Sequence, residues 1–165
     1  MAKKKKKPEK KKKPLLPDRR GMESVMQQLV ARIQGQASDD TPLGKAQALM
    51  YRTFDEPNEK KRIQLAKDAL AICTDCADAY NLLAEHAPSR KERRRLYEQG
   101  MAAGERALGS EAFQRHVGHF WGILETRPYM RARLGLAHCL WSSGRREEAV
   151  QHLQDKLDKK VFAKP

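Results

Sequence analysis

The chain has 165 residues, and its 34 lysines and arginines outnumber its 21 aspartates and glutamates, which gives a formal charge of +13. This length suits one domain with a hydrophobic core, or a smaller domain that carries a tail. No run of apolar residues approaches the roughly 18 that a membrane-spanning helix needs. Three cysteines and the lack of a secretory leader argue against a disulfide scaffold and predict a reducing, cytoplasmic location.

Most of the positive charge lies at the N-terminus. Residues 1–20 hold eleven lysines and arginines but only two acidic residues, a net charge of +9. Charge repulsion and the scarcity of apolar residues predict a disordered basic arm. Two interpretations stay open: the arm contacts phosphate-rich surfaces by releasing counterions, or it is a solvated tail that improves solubility. The candidate contact residues are Lys3, Lys4, Lys5, Lys6, Lys7, Lys10, Lys11, Lys12 and Lys13.

Residues 21–35 form the next predicted unit, an amphipathic helix. Its apolar residues recur every three or four positions, which places them on one stripe of a helix. One interpretation is that the stripe docks on the core or caps it. The other is a helix that lies in the plane of a membrane surface, assisted by the basic arm. The stripe consists of Met22, Val25, Met26, Leu29, Val30 and Ile33.

Residues 42–158 form the predicted helical domain, and residues 159–165 form a short C-terminal tail. No segment in the sequence alternates apolar and polar residues as a strand does. The helix that starts at Ser110 is predicted to run through the HVGHFW sequence. Helix breaks and starts recur at Thr41 with Pro42, Pro57 with Asn58, Ser89 with Glu92, Gly109 with Ser110, and Thr126 with Pro128.

Short breaks between these helices predict an all-α fold of about three antiparallel helical hairpins. The clearest hairpin is the sequence LGLAHCLWSSGRREEAVQHLQDKL. Leu136, Ala137 and Leu140 share one helix face, Gly144 makes the turn, and the small Ala149 lets the returning helix approach closely. This pattern resembles the tetratricopeptide repeat (TPR), which implies a TPR-type α-solenoid.

A second resemblance covers about residues 65–157. The sequences CADAYNLLAEHA and RRLYEQGMAAGERAL are similar to those of the suppressor-of-tumorigenicity family and its bacterial relatives. The resemblance implies a TPR-like helical fold more than it implies a function. Eukaryotic members of that family also have membrane segments, which this sequence lacks, so the resemblance implies no membrane role here.

The residues that often carry chemistry do not form a recognisable active site. Cys73 and Cys76 make one CxxC pair, which is half of a common zinc site, and we interpret Cys73 as a core residue and Cys76 as a turn residue. His116 and His119 lack the companions that a metal site requires. No nucleophile elbow or glycine-rich phosphate loop occurs. We therefore expect a protein that is not an enzyme and that has no cofactor and no metal.

The expected function is that of a non-enzymatic adaptor that binds a protein or peptide. In TPR arrays the first helix of each hairpin lines a groove, and this resemblance implies that Asn81, Glu85, Arg131 and His138 face it. The alternative is binding to an anionic surface, either nucleic acid or membrane, through the basic arm. A third interpretation, a metal or redox protein, would require the CTDC sequence to bind zinc.

The C-terminal edge of the predicted array has no cap. A repeat buries its apolar side only against a neighbour, so a terminal unit needs a polar outer face. The residues after Leu157 are too few to form a further helix. We expect Trp141 to be exposed there and to support weak self-association or partner docking, unless Phe162 folds back over this edge.

Overall fold

The computed structural model describes residues 21–23, 25–26, 29, 40–116 and 119–158, with side chains up to residue 154. The basic arm, residues 30–35 of the predicted amphipathic helix, and the tail lie outside the described residues. No β-strand occurs in the described ranges, which confirms the all-α fold class. The helices are α1 (Pro42–Asp55), α2 (Glu59–Ile72), α3 (Ala77–Glu85), α4 (Arg90–Arg115), α5 (Arg127–Ser142) and α6 (Arg146–Asp158), with a 3-10 turn at Phe120–Gly122.

The helix starts lie where the capping residues predict them. The hydroxyl of Thr41 accepts a hydrogen bond from the backbone N–H of Gly44 at 3.0 Å, and Pro42 occupies the first helical position of α1. The hydroxyl of Ser89 accepts from the backbone N–H of Glu92 at 3.1 Å. These bonds satisfy N–H groups that have no partner inside the helix, so they fix where α1 and α4 begin.

Consecutive helices pack in pairs, α1 with α2, α3 with α4 and α5 with α6. The first and second pairs meet through α2 and α3, and the second and third pairs meet mainly through α4 and α5, where glycines allow a close approach. A Cβ atom on Gly135 would lie 2.3 Å from the ring of Tyr97, and one on Gly104 would lie 2.8 Å from Cβ of Tyr129. Any larger residue at either position would therefore force the two helices apart.

The buried apolar residues form two clusters, one of them made mostly of small residues. The predicted contact of the last hairpin is confirmed, because Leu136, Leu140 and Ala149 form one cluster, packed by Tyr97 and Met101. The turn between these helices contains Gly144 with φ of 80°, in the left-handed region that glycine adopts without strain. The other cluster joins the first three helices and consists of Ala46, Met50, Ala66, Ala69, Cys76, Ala79 and Leu82.

The segment between α4 and α5 differs from its prediction. The backbone breaks at Gly109, with φ of 68° and ψ of 166°, as the sequence predicts. The following helical piece ends at Arg115, however, so the prediction of a helix through HVGHFW is wrong. The chain turns back because Phe120 packs against Phe113 and Tyr129, with ring centroids 5.3 and 6.2 Å away.

The N-terminal helical residues also differ from one prediction. The interpretation that their apolar stripe docks on the core is wrong for the described part of the stripe. The side chains of Met22, Val25, Met26 and Leu29 are about half exposed, whereas Glu23, from the polar surface, is buried. The physical reason is a pair of arginines on α5 that bind the carboxylate of Glu23.

Candidate functional site

A buried polar cluster lies where the N-terminal ends of α3 and α5 meet. Its centre is Asp78, from the first turn of α3, which is only 5% exposed. The guanidinium of Arg131 donates to both carboxylate oxygens of Asp78, with Nη2 2.8 Å from Oδ1 and 2.9 Å from Oδ2. Such two-pronged bonds between charged groups are among the strongest hydrogen bonds in proteins, and they fix the relative orientation of the two helices.

Glu23 completes the cluster from outside the hairpins. Its Oε2 lies 2.6 Å from Nη1 of Arg131, and its Oε1 lies 3.1 Å from Nη1 of Arg127. Two carboxylates and two guanidinium groups therefore balance in charge at a place with little access to water. A buried charge is costly unless it is paired in this way, so each group depends on the others.

The pKa of Arg131 reflects this pairing. Burial by itself lowers the pKa, because it disfavours the charged form. The nearby carboxylates of Asp78 and Glu23 outweigh burial and raise the pKa above its ordinary value. Arg131 is therefore a permanent cation, which suits it to binding an anion and not to transferring a proton.

Helix α1 joins the cluster through Gln47 and Tyr51. The amide of Gln47 donates to Oδ2 of Asp78 at 2.9 Å, and the thiol of Cys76 lies 3.8 Å from Oε1 of Gln47. Burial, reinforced by the negative charge of Asp78, raises the pKa of Tyr51 well above its ordinary value. The first helices of all three hairpins, α1, α3 and α5, thus share one polar network.

The four predicted groove residues fall into two places. Asn81 and Arg131 belong to the buried cluster, where the amide of Asn81 donates to the backbone carbonyl of Pro128 at 2.9 Å. The carbonyl oxygen of the Asn81 side chain is buried without a hydrogen-bond partner among the described residues. Glu85 and His138 are exposed. They lie in an open cleft of about 460 Å³ lined also by Arg90, Arg93, Tyr97, Gly135, Cys139 and Ser142.

Cys73, Cys76 and Cys139 are free thiols. Cys73 is partly buried and packs against the cluster of the first three helices, which agrees with its prediction as a core residue. Cys76, predicted as a turn residue, is instead fully buried in that cluster. Cys76 packs among the apolar residues of α1 to α3 because it is the N-cap residue directly before α3, which faces that cluster. Burial raises the pKa of Cys76 to about 12, which leaves little of the thiolate that redox or metal chemistry requires.

The described residues contain no group of three histidines, cysteines or acids that could hold a metal ion. Within the same ranges, no helix is both long enough and apolar enough to cross a bilayer. The nine lysines predicted to contact an anionic surface lie outside the described residues. The chemistry of the described site is thus ion pairing and hydrogen bonding.

Sequence reasoning missed five members of the buried cluster, which are Glu23, Gln47, Tyr51, Asp78 and Arg127. In the sequence, Asp78 resembles an ordinary acidic residue in the first turn of a helix, where its negative charge interacts favourably with the helix dipole. One signal could have found it: Asp78 lies between Ala77 and Ala79 on a short helix whose neighbours are mostly apolar. A charge in such a helix predicts a partner of opposite charge on the helix packed against it.

The fold and the site define an all-α protein of helical hairpins whose first helices meet at a buried cluster of ion pairs. Comparison of the sequence with known families gives the specific assignment. The profile of the ST7 protein family matches residues 35–163, and the chain belongs to that family. The resemblance predicted over residues 65–157 is confirmed, whereas the TPR character is not part of this match.

Three relatives illustrate the similarity. The chain is similar to the suppressor of tumorigenicity 7 protein-like proteins of human and cattle, with 32% identity over 119 residues and 68% of the chain covered. The chicken protein of the same name is 28% identical over 123 residues, 71% of the chain. The matches cover 20% to 22% of the relatives, so the chain spans about a fifth of their length. No solved structure matches the chain.

Proposed function

We propose that the chain is a non-enzymatic adaptor whose helical hairpins bind a segment of another protein in a TPR-type groove. The groove lies on the side where the first helices of the hairpins meet. The observation that carries the proposal is the burial of Glu23 between Arg127 and Arg131. Here the hairpins already hold a helical segment that is not part of any hairpin.

The way in which Glu23 is held supports recognition of a segment by its charge. The segment buries one carboxylate and leaves its apolar stripe half exposed. Arg127 and Arg131 are four residues apart on one helix, so they lie on the same face and can both bind one carboxylate. A partner helix with an acidic residue would be recognised by the same geometry.

The cleft at the other end of α3 and α5 offers the exposed part of the proposed surface. Glu85 and His138 lie on the rows that continue from Asn81 and Arg131, four and seven residues further along their helices. Arg93 and Tyr97 add a cation and an aromatic ring to the lining of the cleft. Such mixed polar and aromatic surfaces are typical of sites that bind proteins.

Affinity capture from the native cell tests the proposal. The bait proteins are the parent chain, Glu85→Arg, His138→Glu and a control. The control, Glu105→Arg, makes the same charge change as Glu85→Arg at an exposed position of α4. We expect the parent and the control to retain the same partner proteins. The two cleft variants should retain at least about tenfold less of them, a loss of roughly 1.4 kcal/mol. Equal recovery by all four baits would contradict the proposal.

A further inference from the structure

The docking of the N-terminal segment centres on one buried carboxylate. Glu23 is 6% exposed, whereas Met22 before it and Val25 after it are about half exposed. Both oxygens of the carboxylate accept hydrogen bonds, since Arg127 donates to Oε1 and Arg131 donates to Oε2. The side chain of Glu23 therefore enters the hairpins as a ligand enters a site, and these neighbours stay at the surface.

The two arginines are positioned by groups other than Glu23. The guanidinium of Arg131 is fixed by Asp78, which accepts hydrogen bonds from both Nε and Nη2. The Nε of Arg127 donates to the backbone carbonyl of Trp121 at 3.1 Å. In each arginine a different nitrogen, Nη1, binds Glu23. A site whose donors are already held in place costs little to organise, so it is suited to bind a carboxylate from another source.

The charge of the site selects the chemistry of its occupant. Without Glu23, the two guanidinium groups and the single carboxylate of Asp78 leave one positive charge in excess. One further carboxylate neutralises this charge. A phosphate group, with a charge of about −1.5 to −2, would instead leave negative charge buried beside Asp78. The fitting partner is thus a segment that presents a glutamate, as the N-terminal segment does.

We propose that Glu23 is an exchangeable internal occupant of this site, which competes with a glutamate on a helical segment of a partner protein. The inference rests on the adaptor proposal, because the displacing segment belongs to another protein, and it adds that the chain restrains its own binding. Glu23 lies 19 positions before Pro42, where α1 begins. Attachment through the same chain keeps its local concentration high, on the order of millimolar. A partner has to exceed this competition before it occupies the site.

A peptide titration of the full chain tests the proposal. The probe is a synthetic peptide of residues 21–29, GMESVMQQL with blocked ends, and the control peptide carries Glu23→Gln. The chains are the parent, the variant Glu23→Arg, which expels the segment by charge repulsion, and a matched control. The matched control, Glu105→Arg, makes the same charge change at an exposed position of α4. NMR titration of the isotope-labelled chains follows the backbone amides of Arg127 and Arg131.

The expected result is a gain of binding when the internal occupant is removed. Glu23→Arg should bind the probe at least about tenfold more tightly than the parent or Glu105→Arg does, because a segment docked in about nine molecules of ten lowers the apparent affinity tenfold. It should discriminate at least about tenfold against the control peptide, and adding Arg127→Gln should weaken its binding of the probe by a similar factor. Glu23→Gln, which removes the charge without reversing it, should show a smaller gain. Thermal melting by circular dichroism verifies that the variants are folded.

Two outcomes would overturn the proposal. Equal binding of the probe by the parent and Glu23→Arg, or binding by neither, would make Glu23 a fixed brace of the fold. Equal binding of the probe and the control peptide by Glu23→Arg would show that the carboxylate is not what the site recognises. Either failure leaves the adaptor proposal standing, because that proposal is tested with native partners at Glu85 and His138.

Discussion

The carboxylate of Glu23 lies 2.6 Å from Nη1 of Arg131, although 108 residues separate the two along the chain. The same guanidinium binds Asp78, 53 residues away on α3. Arg131, on α5, therefore binds both the N-terminal segment through Glu23 and α3 through Asp78. A residue with this many charged partners sets the position of the N-terminal segment as well as the contact between two hairpins.

The first prediction concerns the N-terminal segment. Substitution of Glu23→Gln removes the charge that holds the segment, while Arg131 keeps its pairing with Asp78. We expect the free energy of unfolding to fall by about 1–3 kcal/mol, the cost of losing buried charged hydrogen bonds. Amide hydrogen exchange of residues 21–29 should become faster than in the parent. The control Glu125→Gln changes an exposed residue, and unaltered exchange in Glu23→Gln would contradict the docking of the segment.

The second prediction concerns the centre of the cluster. Substitution of Asp78→Ala leaves Arg131 buried with one carboxylate instead of two, and such a loss costs roughly 3–5 kcal/mol. The control Asp55→Ala, at the exposed end of α1, should change stability by less than about 0.5 kcal/mol. Urea denaturation measures both. If an Asp78→Leu, Arg131→Met double variant is less stable than Asp78→Ala, the unpaired charge is not the cause of the loss.

Local features of the fold could be predicted from the sequence because neighbouring residues determine them. The hydroxyl of Thr41 caps the N–H group three residues ahead, and that of Ser89 does the same. Gly144 ends a helix because few other residues adopt its backbone angles at low cost. These interactions span a few positions, so spacing alone reveals them.

The ion-pair cluster could not be predicted in the same way. Its partners lie on three helices and on a segment far from them, and their pairing exists only after the hairpins pack. The apolar stripe led to the interpretation that Met22 and its neighbours dock on the core. The periodicity of apolar residues identifies the apolar face of a helix, but it does not show what that face contacts. The attraction of Glu23 to two arginines decides which side of the segment docks, and this depends on tertiary structure.

A third prediction tests the last hairpin with two substitutions of opposite kind. Leu136→Ala opens a cavity in a buried cluster and should cost roughly 2–5 kcal/mol. Ala149→Leu forces three carbons into a fully buried position and should cost roughly 1–3 kcal/mol. The exposed Val150→Ala, next to Ala149, is the control. Urea midpoints equal to that of the parent for both core variants would contradict the pairing of α5 with α6.

A fourth prediction concerns alkaline pH. Burial raises the pKa of Cys76 from 9.0 to about 12 and that of Tyr51 above its ordinary value. The folded state therefore keeps these protons while the unfolded state releases them. The contribution of these two groups to the free energy of unfolding should be constant below about pH 8. It should fall as the pH rises from 9 toward 12, by on the order of 1 kcal/mol per pH unit. Urea denaturation across this range should show a shallower fall for Cys76→Ala, and identical slopes would contradict the burial of the thiol.

The last prediction concerns the C-terminal edge. Trp141 is 52% exposed, as the sequence predicts, and the guanidinium of Arg146 lies 5.5 Å from the centre of its ring. An indole ring with a cation on one face still offers its other face and its edge to a partner. We expect weak self-association through this edge, which should strengthen with salt because it brings basic chains together. Sedimentation equilibrium over a range of concentrations measures it.

Two tryptophan variants make that measurement decisive. Trp141→Ser should abolish the association, because it removes the largest exposed apolar side chain of the last hairpin. Trp121→Ser is the matched control: its ring is 39% exposed on the 3-10 turn, and its backbone carbonyl keeps the hydrogen bond from Arg127. A parent that stays monomeric at the highest concentration, or an equal effect of both variants, would show that Trp141 does not mediate contacts between chains.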